Sequence, residues 1–274
     1  MDNESPISAA QAALDAPSDQ SLRVPCYCEE NVWRLVYRKL HSQQVQQQQQ
    51  QETGDESSIQ YYVAFITNPS KCVPMFHQMA ASNPSRPCYW DYHVILISYS
   101  KESDEILAYD MDSHLPFPCS LEHYLARVFP AEIPWPPEYL PYFRYVAIDG
   151  HVFLGGAKET MTEWKGLTSY FASPPPDSVV QAEVYLQVFS SDRMHMYNSK
   201  TKQWSAQPPT YACILPSPSN LVKYMTIDQN DVEHRRKGAT SINDVGEDPF
   251  GIILTLVELK QLFGIDSLKT LKDA

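Results

Sequence analysis

A cysteine, a histidine and an aspartate in this chain have the types and the surroundings for nucleophilic catalysis by a thiol. Cys28 follows Pro25 and directly precedes apolar positions at Val32, Trp33, Leu35, Val36 and Leu40, close to a helical stripe. A thiol at a helix N-terminus faces unpaired N–H groups and the positive end of the macrodipole, which favour thiolate. Glu29 and Glu30 in the first turn oppose that effect on the thiol while stabilising the helix, so Cys28 needs a base. His93 is one, at the head of the apolar run Val94 to Ile97. A polar turn over Ser100–Glu105 then leads to a second strand, Ile106–Asp112. A hairpin centred between Lys101 and Glu102 sets residue 93 opposite residue 110, where facing Cβ atoms lie roughly 4.5–5.5 Å apart. Asp110 could therefore orient the imidazole and stabilise its protonated form. Asp112 shares the face, because strand side chains alternate, and a slipped register or a bulge would substitute it. The hairpin alone leaves both aspartates open.

Other groupings are weaker. Cys26-Tyr27-Cys28 has one residue between its thiols where paired zinc ligands have two or more, and no second pair exists, so no metal is expected. Gly155-Gly156 with Lys158 and Thr160 is too short for a phosphate loop, and Met194-His195-Met196 reads as a packed segment.

The elements that must position these residues read as an α+β fold, a mainly antiparallel sheet with flanking helices. One early helix over Glu29–Leu40 is followed by strands at Tyr61–Thr67 and Cys72–Phe76 around a turn at Asn68-Pro69. Tyr92–Tyr99 has the continuous apolar centre of a strand buried on both faces. Leu121–Phe129 reads as a helix, Tyr142–Ile148 as a strand, and Thr255 with Glu258 opens a last helix that Gly264 ends. Residues 1–22, polar and acidic, are expected to be a disordered tail, and 266–274 a second tail. Residues 23–265 form one domain, with a glutamine-rich insertion at about 42–58, including the tract Gln46–Gln51, and a further insertion at about 150–183. Ser173–Ser178, with three consecutive prolines, is expected to be extended, and His234–Asp248 a solvated loop.

Composition narrows the function. The 274 residues carry a formal net charge of −12, which repels phosphate backbones and argues against nucleic acid. No apolar run is long enough to span a membrane, and the start lacks the basic and apolar regions of a secretory signal. Six cysteines in a chain neither short nor visibly secreted read as reduced thiols.

Local strings then point to a family. Cys26-Tyr27-Cys28-Glu29-Glu30-Asn31-Val32-Trp33 closely resembles the motif around the nucleophile of protein N-terminal glutamine amidohydrolases. Trp90-Asp91-Tyr92-His93-Val94 is similar to that family's histidine motif. Tyr109-Asp110-Met111-Asp112, followed by Leu115-Pro116-Phe117-Pro118-Cys119, is similar to its acidic motif. Ser191-Asp192-Arg193 with His195-Met196, and Cys213-Ile214 after a proline-rich stretch, extend the resemblance, which covers about residues 25–265. It implies a Cys-His-Asp triad on a papain- and transglutaminase-like scaffold, with Cys28 as nucleophile, His93 as general base and acid, and Asp110 as orienting carboxylate. The implied reaction hydrolyses the side-chain amide of an N-terminal glutamine to glutamate and ammonia through a thioester, without a cofactor. The implied setting is the N-degron pathway in the cytoplasm or nucleus. Expected partners are proteins and peptides with a free N-terminal glutamine, and the chain is expected to be monomeric. Reading a free α-ammonium requires a carboxylate near the nucleophile, for which Glu30 is the candidate; Tyr27 and Trp90 are candidate pocket residues. The competing readings are a transglutaminase-like or papain-like cysteine enzyme and a non-catalytic interaction module.

Overall fold

Two long apolar runs build the centre of the molecule. In the computed structural model, which describes residues 7–50, 59–67, 71–130, 177–214, 218–225, 251–254 and 256–265, they form β1 (Ile59–Thr67) and β4 (Tyr92–Ser100). These pair antiparallel along their full length, from Ile59 opposite Ser100 to Thr67 opposite Tyr92. Around them lie β5 (Glu105–Tyr109), β6 (Cys119–Ser120), β7 (Asp177–Gln181) and β10 (Ile252–Leu254), in the order β10-β7-β1-β4-β5-β6, with every pairing antiparallel. Two short ribbons stand apart: β2 (Val73–Met75) with β3 (Cys88–Trp90), and β8 (Tyr197–Asn198) with β9 (Gln203–Trp204).

Both faces of the six-stranded sheet are covered, which is why its central strands read as unbroken apolar runs. Tyr61, Val63, Phe65, Val94 and Leu96 pack under α1 (Ala9–Leu14), α2 (Cys28–Gln50), α4 (Ala182–Val188) and α5 (Leu221–Met225). Tyr62, Ala64, Ile66, Ile95 and Ile97 pack on α3 (Leu121–Val128) and α6 (Leu256–Leu262). Each fully buried Leu, Val or Ile contributes about 1.5–3 kcal/mol to this packing. Aromatic rings knit the first layer, with Phe65 stacked on Tyr224 at 4.7 Å between ring centroids.

Several expectations need correction. Residues 7–22 are held in the fold: Ser8 caps α1, Ala13 and Leu22 have no exposed surface, and Arg34 of α2 donates to the carbonyls of Ala12 and Leu22. Alanines at helical spacing, too small to read as an apolar stripe, are what pack α1 against α2. The helix α2 does not stop before the glutamine tract but runs into it, to Gln50, because glutamine is a good helix former. Tyr61–Thr67 and Cys72–Phe76 do not form a hairpin; β1 pairs with β4 and β7, and β2 with β3. The end of the expected insertion, Asp177–Gln181, is a strand inside the main sheet, between β10 and β1. The expected strand at Tyr142–Ile148, the loop at His234–Asp248, Thr255 and the tail at 266–274 lie outside the described residues. Gly264 does end α6, with φ +65° and the Ile265 N–H returning to the Lys260 carbonyl. All six cysteines carry free thiols. Among the described residues no helix is long and apolar enough to cross a membrane.

Gly251, at the entrance to β10, has φ +71°, and an added Cβ would overlap the carbonyl oxygen of Val179 on β7. Gly251→Ala is expected to cost about 2 kcal/mol through strain and loss of the β10–β7 ladder. Urea denaturation measures it, and an unchanged midpoint would contradict this seating of β10.

Candidate active site

The start of α2 is shaped by Asn31, whose side-chain oxygen accepts from the Val24 N–H at 2.9 Å and whose amide donates to the Val24 carbonyl at 2.8 Å. This folds residues 24–27 back over the helix end, with Cys26 in a left-handed conformation at φ +66°. Cys28 is thereby buried at the first position of α2. Its thiol donates to Glu29 Oε2 at 3.6 Å, and the backbone of Val94, the residue after His93, hydrogen-bonds the sulfur. Burial, then the charges of Glu29 and Asp112, push this thiol well above its ordinary range, while the Val94 bond works the other way.

His93 and Asp110 meet at 2.9 Å through Nε2 and Oδ1, both with almost no exposed surface. The route differs from the expected hairpin. The β4–β5 register sets Leu96 opposite Tyr109, so the turn centre lies one residue later than expected and the partner shifts by two. The cause is a four-residue turn, Lys101–Asp104, with Asp104 left-handed at φ +55°. A shift of two preserves the face, and β5 ends at Tyr109, which frees Asp110 to turn toward His93. Asp110 is then fixed from every side: Tyr124 of α3 donates to Oδ2 at 2.8 Å, Gln78 at 3.2 Å, and the Asp112 N–H to Oδ1 at 2.9 Å. Burial raises the Asp110 pKa, but His93 and these donors outweigh it and hold the carboxyl below its usual range. Burial likewise works against the His93 imidazolium, yet the charge and hydrogen bond of Asp110, with Asp112 and Glu29, carry its pKa upward. His93 stacks on Trp90 at 5.4 Å, and its Nδ1 is buried without a hydrogen-bond partner.

Asp112 is taken by Arg23 at 2.8 Å. His93, Asp110 and Asp112 offer ligand atoms within 4.8 Å of one another, a spacing that suits a metal ion. However, Asp110 is committed to four donors and Asp112 to a guanidinium, so the cluster is closed by internal hydrogen bonds.

A cleft of about 280 Å³ opens beside these groups. Cys28, Cys26 and Asp112 line one part, and Trp90, Asp91, Tyr92, His195, Met196 and Met225 the rest. Trp90 therefore stands where a pocket residue was expected. Glu30 does not: it has no exposed surface, and both its oxygens bind Arg193 at 2.8 Å. Tyr27 is also fully buried, its hydroxyl donating to the Ala206 carbonyl at 3.2 Å, away from the cleft. Sequence reasoning missed Gln78 and Tyr124 as anchors of Asp110, and Arg193 as the partner of Glu30. For Arg193 the only signal was its place in a recognisable string, Ser191-Asp192-Arg193.

The Arg193 guanidinium also donates to the carbonyls of Pro209, Tyr211 and Ala212, so it stitches the 190–212 segment to α2. Arg193→Met leaves Glu30 buried and unmatched, at an expected cost of about 3–5 kcal/mol. Glu30→Met with Arg193→Met together should recover a substantial part of that loss. Chemical denaturation of the single and double variants checks both, and additive losses would mean that the two side chains act independently.

With this geometry in hand, comparison with known proteins is informative. The sequence model of the family described as N-terminal glutamine amidase matches residues 23–178 and 158–263. A protein N-terminal glutamine amidohydrolase of Bos taurus is 30% identical over 233 residues, covering 83% of this chain and 89% of the relative. One from Danio rerio is 31% identical, covering 82% and 89%, and one from Arabidopsis thaliana is 28% identical, covering 94% and 97%. The matched regions carry Cys28, His93 and Asp110 and most of the fold that holds them, and the chain belongs to the N-terminal glutamine amidase family.

Proposed function

We propose that the protein hydrolyses the side-chain amide of an N-terminal glutamine, giving N-terminal glutamate and ammonia, with Cys28 as nucleophile, His93 as base and acid, and Asp110 as the group that orients His93. Family membership supports the reaction. The observation that carries the mechanism is the His93 ring itself: Nε2 is locked on Asp110 while Nδ1 is left buried without a partner. An imidazole anchored through one nitrogen, with the other lone pair unspent, is prepared to take a proton. Cys28 is the donor at hand, its sulfur lying against the backbone of the next residue in the same strand.

An amide is a poor electrophile, and a thiolate divides its hydrolysis into two easier steps. The Cys28 proton passes to His93 Nδ1 and the sulfur attacks the side-chain carbonyl carbon. The resulting oxyanion would be met by N–H groups at the start of α2, the Cys28 N–H among them; each such donor is worth about 3–4 kcal/mol. His93 returns the proton to the departing nitrogen, releasing ammonia and leaving a thioester. It next takes a proton from water, which cleaves the thioester and restores the thiol. The cleft lining supports a positively charged substrate end, since it holds Asp91 and, among the described residues, no lysine or arginine. This papain- and transglutaminase-like use of the triad needs no cofactor. The new glutamate would enter the N-degron pathway.

Incubation with peptides beginning Gln, Asn or acetyl-Gln tests the reaction. Ammonia and the mass change of deamidation should appear with free Gln alone and vanish in Cys28→Ala; incorporation of an added primary amine in place of ammonia release would identify a transglutaminase instead. A second test concerns pH. His93 must be neutral to accept a proton, and its pKa is raised, so activity should climb as pH rises through that value, above the usual histidine range. Asp110→Asn should move this acid limb to lower pH and reduce kcat by about 10²–10⁴. An unmoved limb in the pH profile would remove Asp110 from the triad.

A further inference from the structure

The mechanism above leaves one buried acid beside the nucleophile without a task. Glu29 has no exposed surface, and its two oxygens differ. Oε2 accepts from the Tyr92 hydroxyl at 2.9 Å and from the Cys28 thiol at 3.6 Å. Oε1 is buried with no hydrogen-bond partner and lies 3.6 Å from Nε2 of His195, a residue of the cleft wall. The Tyr92 hydroxyl also stands 3.4 Å from that nitrogen. An ionised carboxylate here would keep a full share of charge on an oxygen that no donor meets, which is costly in a buried site. A neutral carboxylic acid with its proton on Oε1 would have an acceptor in front of it, since burial favours neutral His195.

We propose that Glu29 is a positioning residue held as a neutral acid, its Oε1 proton directed at His195 Nε2, so that the Cys28 thiol meets an uncharged neighbour when His93 takes its proton. The role rests on Cys28 being the nucleophile. A negative charge 3.6 Å from the sulfur would oppose thiolate formation, and the protonated acid removes that one contribution. The other groups around Glu29 are consistent with this state. On its own segment Cys26, Tyr27 and Glu30 would be charged only with the same sign, and Glu30 is already matched by Arg193. From β4, Tyr92 donates to it, and the imidazolium of His93 is directed at Asp110. From α4, the Tyr185 hydroxyl binds the backbone carbonyl of Glu29 and leaves the carboxyl alone. Burial first, then Glu30, lifts the Glu29 pKa to about 8. Because that value is raised, the acid is neutral below it and the thiol is penalised as pH rises through it.

The test is the rate at which iodoacetamide alkylates Cys28, followed by mass mapping, in the wild type and in Glu29→Gln. The ratio of variant to wild-type rate is expected to be near one at about pH 6 and to reach about tenfold at about pH 9, as the wild-type acid ionises. A ratio that stays constant across the range, at one or at ten, overturns the proposal. Infrared titration of the wild type gives a readout that does not depend on the variant folding. A protonated carboxyl band lost through about pH 8 supports the neutral acid, and a carboxylate alone at about pH 7 rules it out. Failure of the amidase reading is seen separately, as absence of ammonia release, because alkylation requires no substrate.

Discussion

A carboxylate with no exposed surface, two residues from Cys28, has to be matched by a cation, and much of the molecule is arranged around the match between Glu30 and Arg193. The pair is bidentate, and the same guanidinium gathers the carbonyls of Pro209, Tyr211 and Ala212 while lying over the Tyr211 ring at 4.9 Å. One ion pair therefore fixes the segment that carries His195 and Met196 against the helix that carries Cys28. The far wall of the cleft has a defined position because of it. Such pairs are weak evidence for net stability, but removing one partner leaves an uncompensated charge, so the arrangement resists piecemeal change.

The same logic recurs around the cleft. Asp110 is answered by His93, Tyr124 and Gln78, and Asp112 by Arg23. Asp110 and Asp112 come from the segment that follows β5 and Glu30 from α2, and every counter-group comes from another segment. Cys28 comes from α2 and His93 from β4, the sulfur against the Val94 backbone and the ring on Trp90. A sheet covered on both faces makes this workable, because helices on either side deliver polar groups to one strand end without exposing the core.

What could be read from the sequence followed from local rules. The helix after Cys28, the strand at His93 and the shared face of His93 and Asp110 rest on periodicity, and parity survived a turn that was placed one residue early. Contacts between distant segments left no such trace. Glu30 and Arg193 are 163 positions apart, and a carboxylate in a first helical turn looks the same whether it will bind a substrate or an arginine. Local rules point Glu30 toward the substrate, and the fold commits it to Arg193. The strand at Asp177–Gln181 was hidden for a related reason, since its neighbours in the sheet are β1 and β10, far away in sequence. The N-terminal helix was obscured by composition, because alanine packs tightly without looking apolar enough to announce a core.

The glutamine tract has a mechanical setting of its own. Helix α2 carries it outward, and Gln43 donates to the carbonyl of Ile59 at 2.8 Å, tying the helix to the first residue of β1 before the tract begins. That bond is a clasp between helix and sheet on the near side of the tract. Each glutamine gained in a helix would extend it by about 1.5 Å and turn its end by about 100°. Here such drift would be spent beyond the clasp, leaving the Cys28 end of the rod and the register of β1 where they are. The tract is thus a region where lineages can diverge in length while the chemistry stays constant.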